Sequence, residues 1–559
     1  MRTAISTIIF ITLLFSLGAG YLLQTGGELQ PEVELPAYST KIRANDPWVV
    51  TGTEYINDTQ ELWARDIRVE AGGMLVFDNA RINFDTMTEP VFINVTAGGI
   101  MRVLNSTVFD LNNFTNPHGY FIWSYGELEI LNSTINFAGY TAITNGSGCS
   151  DPQPCTDYFG AGIRVVDGTA KISGTTICNS TYAVLKEGGL LKVENSRFEN
   201  NFYGIYGYYT SGIQVKNTVL TQNYYAFFLI STKAVEISDC TLELNLFGMF
   251  VEDSDIVAVS STFRMNTETA ISGYRGTELT LIDCIISYMR GAFLGYNLFL
   301  ETSTLVMQNS TSENGLWGIY LMNCTAEISQ SKLIENQLTG VYVYYSVLEL
   351  SNSTISGNDN GVLLENSAGN LTGNDIVENN IGVFAYESAP VVDYNIIAAN
   401  TYFGVQSLDM EFSLGTGNEF TDGKGSENGW GRFQQIYTVY VKVTDTYNNV
   451  LPFADYSVTN RSGEEIYNGT LNVKATVDGA KLWLHHYWVD NEGSRVEPGP
   501  HKITIWWGNT SWGGFIYDSV SISVSPDSNK YIKLERPIPD IYVTDDDIKI
   551  SATSVEEGD

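Results

Sequence analysis

The amino-acid sequence predicts an all-β protein, a parallel β-helix of stacked coils about 22 residues long over residues 46–430, followed by a C-terminal β-sandwich. Three observations predict it. A short phrase recurs at a nearly constant step, apolar residues alternate with others inside each copy, and Asn and Gly punctuate the copies.

The phrase is a small polar residue, then Ser, Thr or Cys, any residue, an apolar residue, two more positions and Asn. It stands as NSRFENN from Asn195, NTVLTQN from Asn217, DCTLELN from Asp239 and SSTFRMN from Ser260, at steps of 22, 22 and 21 residues. It returns as QSKLIEN from Gln330, NSTISGN from Asn352 and NDIVENN from Asn374, at steps of 22 and 22. DCIISYM from Asp283 and NSTSENG from Asn309 bridge the two groups after steps of 23 and 26. A second phrase follows the first: Asn, two residues, Gly or Ala, then an apolar residue, as in NFYGIYGY from Asn201 and NLFGMFVE from Asn245. Two or three short strands per coil bury no core singly. Stacking creates one, and pairs each backbone group with the coil above or below.

A stack gives the repeated positions a meaning. The terminal Asn of the first phrase, at Asn201, Asn223, Asn245, Asn266, Asn336, Asn358, Asn380 and Asn400, is expected to form an amide ladder at a corner that tolerates left-handed backbone. The second position reads Ser196, Thr218, Cys240, Ser261, Cys284, Ser310, Ser331 and Ser353, so Cys there fills a small inward niche. Cys240 and Cys284 lie two coils, about 10 Å, apart, too far for a disulfide. Cys178 and Cys324 are read only as small buried residues.

On these repeats the chain resembles the right-handed parallel β-helix proteins of the pectin-lyase-like superfamily, and among them the NosD-like surface proteins. The resemblance implies a right-handed coil and hosts many activities, so it speaks for fold more than for chemistry. The polygalacturonase, pectate lyase and alginate epimerase signatures that it would bring are missing from the sequence.

Composition agrees with an ordered β protein: 559 residues, 43% hydrophobic, 12% aromatic, 52 Gly and only 14 Pro. The formal charge is −34, from 64 acidic and 30 basic residues, with no basic stripe. Nucleic acid and anionic headgroups are therefore excluded as expected partners. The N-terminus, MRTAISTIIFITLLFSLGAGYLL, reads as a signal peptide or signal anchor over residues 1–23, with a stem over 24–45. The rest is expected outside the cell or at its surface, touching the membrane only through this segment or a missing C-terminal anchor. That location permits a disulfide between Cys149 and Cys155 across the turn SDPQP.

After residue 430 the periodicity changes. Residues 436–535 alternate as a sandwich does and resemble immunoglobulin-like or carboxypeptidase-regulatory-like modules. Residues 538–559 resemble the opening strands of a CARDB-type module, from which the chain is expected to be a fragment.

Candidate chemistry is sparse. His118, His485, His486 and His501 all lie off the regular coils, so no His base or His-rich metal site is expected on the stack. The remaining acids and bases are Glu252, Asp253 and Asp255 in FVEDSDIV, with Arg264 and Arg275 nearby, a catalytic or Ca²⁺-binding candidate. Glu365 shares the coil position of Glu252 but five coils away, about 24 Å, beyond a glycosidase pair. Of the many sequons, Asn57, Asn145 and Asn509 lie outside the repeated phrase and are the preferred glycan acceptors.

The most informative feature is an outward face of aromatics. One column is read as Tyr206, Phe228, Phe250, Ser272, Leu294, Tyr320, Tyr342, Leu363 and Phe384. A second is read as Tyr208, Ile230, Glu252, Tyr274, Tyr296, Met322, Tyr344, Glu365 and Tyr386. Such a strip, about 40 Å long, exceeds ordinary apolar surface. It points to a polysaccharide or cell-envelope glycan, or another surface protein, stacked on the tyrosines, unless the chain itself covers it. The expected function is thus a non-catalytic surface rod that binds glycans or neighbouring proteins. The alternative is a polysaccharide lyase or glycoside hydrolase built on the same strip.

Overall fold

The computed structural model describes residues 47–549 except 64, 87–89, 111–118, 140–161, 289–294, 411, 413, 421–430, 446–454, 471–479, 491–493, 498, 508–517, 525–530, 537–541 and 545–546. The expected leader and stem, Cys149, Cys155, Asn145 and Asn509 lie outside the described residues, whereas Asn57 is exposed. Every described regular element is a strand.

Each coil contributes three strands, one to each of three parallel sheets. Sheet A holds Tyr203–Tyr208, Tyr225–Ile230 and Phe247–Glu252; sheet B holds Ser211–Lys216 and Lys233–Ser238; sheet C holds Val219–Thr221 and Thr241–Glu243. Sheets B and C have 15 strands each, and sheet A has 20. The interior is a column of aliphatic and aromatic side chains with no contact with solvent, such as Phe198, Phe227, Met249, Phe263, Ile319, Val341 and Ile376.

The three corners share one device. A residue with positive φ turns the chain outward, and the next residue sends a short polar side chain inward. Between sheets B and C the turning residues are Asn195 (φ 48), Asn217 (φ 44), Asp239 (φ 55) and Ser260 (φ 49). The inward ones are the expected niche residues: Ser331 N–H donates to Ser353 Oγ, and Cys240 N–H to Ser261 Oγ at 3.2 Å. The Cys240 and Cys284 thiols donate to carbonyls of their own corner, Ser238 O at 3.1 Å and Ile282 O at 3.3 Å. Cys324 is the same substitution at the corner between sheets A and B, where Cys324 N–H donates to Ser346 Oγ and Ser346 N–H to Ser367 Oγ.

The amide ladder occupies the corner between sheets C and A, with one correction of residue and one of backbone. The Oδ1 of each Asn accepts both the N–H and the Nδ2–H of the Asn one coil before, through Asn201, Asn223, Asn245 and Asn266. It resumes through Asn336, Asn358, Asn379 and Asn400, so the rung is Asn379 and not Asn380. The phrase at that coil begins at Gly373, since Ser353 N–H donates to Asn374 Oδ1, a step of 21 residues rather than 22. The left-handed residue is the one before each rung, such as Asn200, Gln222 and Leu244. In the gap, Gly315 stands at the ladder position, and Asn297 from sheet A substitutes: its Nδ2 donates to Ser312 Oγ, Glu313 O and Asn336 Oδ1.

The Gly or Ala of the second phrase is explained by this ladder. A Cβ on Gly318 would lie 2.4 Å from Gly340 O and 2.7 Å from Asn336 Nδ2, so even a methyl group there would force a shift beneath the amide, and the coils that carry a ladder Asn hold nothing larger than Ala226 and Ala270 at this position.

At the C-terminal end Asn418 takes the last rung of the inward polar column, accepting from Asn395. Sheet A continues beyond Phe403–Leu408, with which Gly431–Ile436 pairs in parallel. The same strand runs on to Asp445 and pairs with Ala480–Val489 and Tyr531–Arg536. Asp455–Thr459, Glu465–Thr470, His501–Trp507 and Asp518–Val524 form a separate antiparallel sheet.

Candidate functional site: an aromatic face on sheet A

The backbone register of sheet A sets which outward residues stand above one another. It yields three columns rather than the two expected. The middle column runs Tyr206, Phe228, Phe250, Ser272, Phe299, Tyr320, Tyr342, Leu363 and Phe384, so Phe299 takes the place expected for Leu294. The flanking column toward sheet B runs Tyr208, Ile230, Glu252, Tyr274, Glu301, Met322, Tyr344, Glu365 and Tyr386, with Glu301 where Tyr296 was expected. Tyr296 belongs to a third column, Tyr203, Tyr225, Phe247, Thr269, Tyr296, Trp317, Thr339, Asn360 and Ile381. The long step between Asp283 and Asn309 put the two misplaced residues out of count. The third column escaped because its residues, Tyr296 before Asn297 excepted, precede the Gly or Ala, where two successive residues turn inward and strict alternation fails. Its signal was nevertheless present, in the recurrent YG, YA, FG and WG pairs.

The rings form ladders. Tyr203, Tyr225 and Phe247 stack at 5.4 and 4.9 Å between centroids, and Tyr206, Phe228 and Phe250 at 5.1 and 4.8 Å, all within 12° of parallel. Where a ladder meets a small residue, a neighbouring ring leans across. Tyr274 fills the space over Ser272 and lies 5.2 Å from Phe250 and 5.6 Å from Phe299. Tyr342 leans over Thr339 to stack on Trp317 at 5.4 Å, and its hydroxyl donates to Glu365. Ring faces within the ladders are thus occupied by other rings. Trp317, Tyr320 and Tyr296 are buried, and the remaining rings of the middle and flanking columns are half-buried. The face therefore offers ring edges and phenol hydroxyls to a partner, not the stacking faces expected from sequence.

Burial and carboxylates raise the phenols. Tyr274 is pushed up to about 12, first by burial and then by Glu301, with Glu252 adding a smaller contribution. Tyr320 and Tyr342 are held above the ordinary phenol range, by burial and then by Glu365. Tyr274, Tyr320 and Tyr342 are therefore neutral hydrogen-bonding groups near neutral pH. None of the 27 positions of the three columns is Lys or Arg, so the face is aromatic, neutral to acidic.

The acidic cluster read from FVEDSDIV is divided by the corner. Glu252 lies on sheet A and accepts from Arg275 at 3.0 Å, while Asp253 and Asp255 both bind Lys233 of the preceding coil, at 3.3 and 2.9 Å. Arg264 pairs with Glu243. The corner thus turns the carboxylates away from one another, and a cation already neutralises the sheet B pair, which corrects the expectation of a Ca²⁺ site there. Among the described residues no group of three or more His, Cys, Asp or Glu side chains is placed to hold a metal ion. The thiols of Cys178, Cys240 and Cys324 are raised to about 11 by burial, the wrong direction for nucleophiles.

Two aromatic residues beside the face were missed. Tyr209 and Tyr345 occupy the left-handed corner position between sheets A and B, with φ of 45 and 46, and are 59% and 56% exposed. Each packs edge-on against the flanking column, 4.5 Å from Tyr208 or Tyr344.

Comparison with known proteins bears on the fold. The profile of the right handed beta helix region matches residues 161–298 and 297–450, more than half of the chain. No curated protein matches the sequence. Among solved structures, the periplasmic alginate epimerase AlgG is 13% identical, covering 66% of this chain and 77% of its own, with a TM-score of 0.29. The A-module of the Azotobacter vinelandii mannuronan C-5 epimerase AlgE6 is 14% identical, covering 65% and 84%, at 0.19. The tailspike gp49 of Acinetobacter baumannii bacteriophage Fri1, a capsular polysaccharide depolymerase, is 10% identical, covering 81% and 76%, at 0.22.

Proposed function

This chain belongs to the right-handed β-helix family, and from that premise we propose that it is a non-catalytic, exported surface rod that binds glycans, or neighbouring surface proteins, along the aromatic face of sheet A. The observation that carries the reading is the face itself: three registered columns over nine coils, about 38 Å long on the strand spacing. An extended, hydroxyl-rich polymer lying along the rod meets a phenol in seven of the nine coils, and each hydrogen bond contributes about 0.5–1.5 kcal/mol. With Glu252, Glu301 and Glu365 on the face and a net charge of −34, a neutral glycan is favoured over a polyanion.

The carboxylates support binding over turnover. Glu252 and Glu301 stand two strands apart, about 10 Å, at the outer limit of the pairs that cleave glycosides, and Glu301 and Glu365 three, about 14 Å, beyond it. Glu252 is tied to Arg275 and Glu365 to Tyr342. On the same reading, residues 1–23 direct export and 24–45 form a stem. Residues 436–535 and 538–559 are the immunoglobulin-like and CARDB-like modules of a NosD-like surface protein. Cys149 and Cys155 are bridged, and Asn57, Asn145 and Asn509 carry glycans.

The test is a glycan array on the purified protein, with reducing-sugar and unsaturated-product assays run in parallel. Changing Tyr208, Tyr344 and Tyr386 together to Ser removes phenols from the flanking column, outside the most buried rings. Binding should be lost while the melting temperature falls by only a few degrees. Formation of product from any polymer, or undiminished binding by the triple variant, overturns the proposal.

A further inference from the structure

We propose that the depression beside Tyr209, at the corner between sheets A and B, is a subsite for a single neutral sugar unit at the edge of the aromatic face. The inference rests on reading that face as a glycan-binding surface and adds to it a discrete site.

Most residues that turn this corner are short or polar: Ser231, Asp253, Thr302, Asn323, Asn366 and Glu387 share the positive φ. A tyrosine there is held against a steric penalty for bulky side chains, and its ring is more than half exposed. Unlike the rings of the ladders, Tyr209 packs edge-on, at 85° to Tyr208, and so keeps a ring face for a partner.

Beside that ring lies an open depression of about 420 Å³, within the size range of small-molecule sites. Its floor includes Gly188 and Gly189. A Cβ at either would fall within 2 Å of a carbonyl oxygen of the coil below, Val166 O or Gly168 O, so the floor is necessarily bare backbone. The polar groups around it are fixed in place. The Glu187 carboxylate is clamped by Arg164 Nε at 2.8 Å and Nη2 at 3.1 Å, and Arg164 itself lies over the Trp123 ring. Ser231 Oγ donates to Asp253, which leaves its oxygen free to accept. Beneath the depression the fully buried Lys186 donates to Thr210 Oγ1 at 2.7 Å and Ser211 O at 2.6 Å. An aromatic wall, a bare floor, hydroxyls and a charge-neutralised carboxylate match the apolar face and hydroxyl rim of a pyranose. The Glu187 and Asp253 carboxylates already have cationic partners, Arg164 and Lys233, and the Lys186 ammonium is fully buried and spends its N–H groups on Thr210 and Ser211, so an ionic group on the ligand finds no charge within reach.

The experiment is ligand-observed NMR on the full chain, with the methyl glycosides of glucose, galactose, mannose and N-acetylglucosamine as probes. At least one should bind with a Kd on the order of 1 mM. Tyr209→Asn, which installs the residue found at the same corner in Asn323 and Asn366, should weaken it roughly tenfold without loss of fold. Tyr209→Phe should bind as the parent does, and Tyr345→Asn, farther along the same corner, should be silent. Failure of every probe to bind, or equal binding by Tyr209→Asn, or equal loss in Tyr345→Asn, overturns the subsite. Polymer binding on the array that persists alongside any of these results leaves the aromatic-face reading standing and removes only the subsite.

Discussion

Replacing Asn223 by Ala tests whether the buried amide ladder holds the coils in register. The Asn223 side chain makes four hydrogen bonds. Its Oδ1 accepts from Asn201 N and Nδ2, both at 3.0 Å, and its Nδ2 donates to Phe198 O at 3.1 Å and Asn245 Oδ1 at 3.0 Å. Truncation strands the buried N–H of Asn201, at about 1–3 kcal/mol, and breaks three further bonds worth about 1 kcal/mol each, so roughly 4–6 kcal/mol should be lost. Asn217→Gly is the control. Asn217 is exposed, has a φ of 44 that Gly adopts freely, and makes one ladder bond, to Asn195 at 2.7 Å. Its loss should stay within about 1 kcal/mol. Guanidinium melts followed by circular dichroism give the two differences. Hydrogen exchange should show protection falling first in the coils around residues 198–245, because each coil is stabilised by its neighbours. If Asn223→Ala costs no more than Asn217→Gly, the ladder is incidental and the corner is held by the strands alone.

Three further outcomes follow from the register and burial. Deleting Ser353–Gly373, 21 residues, joins Asn352 to Asn374 and restores both the turning residue and the rung, so the protein should melt cooperatively. Deleting 22 residues, Asn352–Gly373, removes the turning residue and should be markedly worse; equal melts would refute the 21-residue step. Lys186 is lowered to about 8 by burial, against 10.5 unfolded, so the unfolded chain binds more protons between those values and the native state gains stability as pH rises through that window. Relative to Lys186→Met, the parent should gain roughly 2 kcal/mol between pH 7 and 9.5, and a flat difference across that range would show that the ammonium is not desolvated. Cys240→Ser and Cys284→Ser place in the niche the residue its neighbours already use, and a loss above about 1 kcal/mol in denaturant melts would contradict that reading.

The solenoid was legible because its corners are local chemistry. One left-handed residue, one inward polar residue and a Gly or Ala beneath an amide leave a mark in every copy, whatever the neighbouring coils contain. The inward niche of Cys240 and Cys284 could be read for the same reason, since Ser and Thr alternate with Cys at one position. The aromatic face was legible in outline, through Tyr206, Phe228, Phe250, Tyr320 and Tyr342, which lie in coils of regular length.

What the sequence by itself determined, then, was the coil, its inward and outward residues, and the presence of an aromatic side. Tertiary structure decided which residues share a rung and what they touch. Counting along the chain measures residues, whereas stacking is set by backbone hydrogen bonds and by the fit of inward side chains. An insertion or a deletion absorbed at a corner moves the count without moving the rung. That is why Phe299 and Glu301 stand where Leu294 and Tyr296 were expected, and why Asn379 rather than Asn380 continues the ladder. Contacts between coils are equally invisible in one dimension: Lys233 reaches Asp253 and Asp255 from 20 and 22 residues away, and Tyr274 leans into a space that Ser272 leaves. The exposed ring of Tyr209 acquires a floor only because Gly188 and Gly189 pass beneath it in the preceding coil, at a distance set by strand spacing and not by sequence.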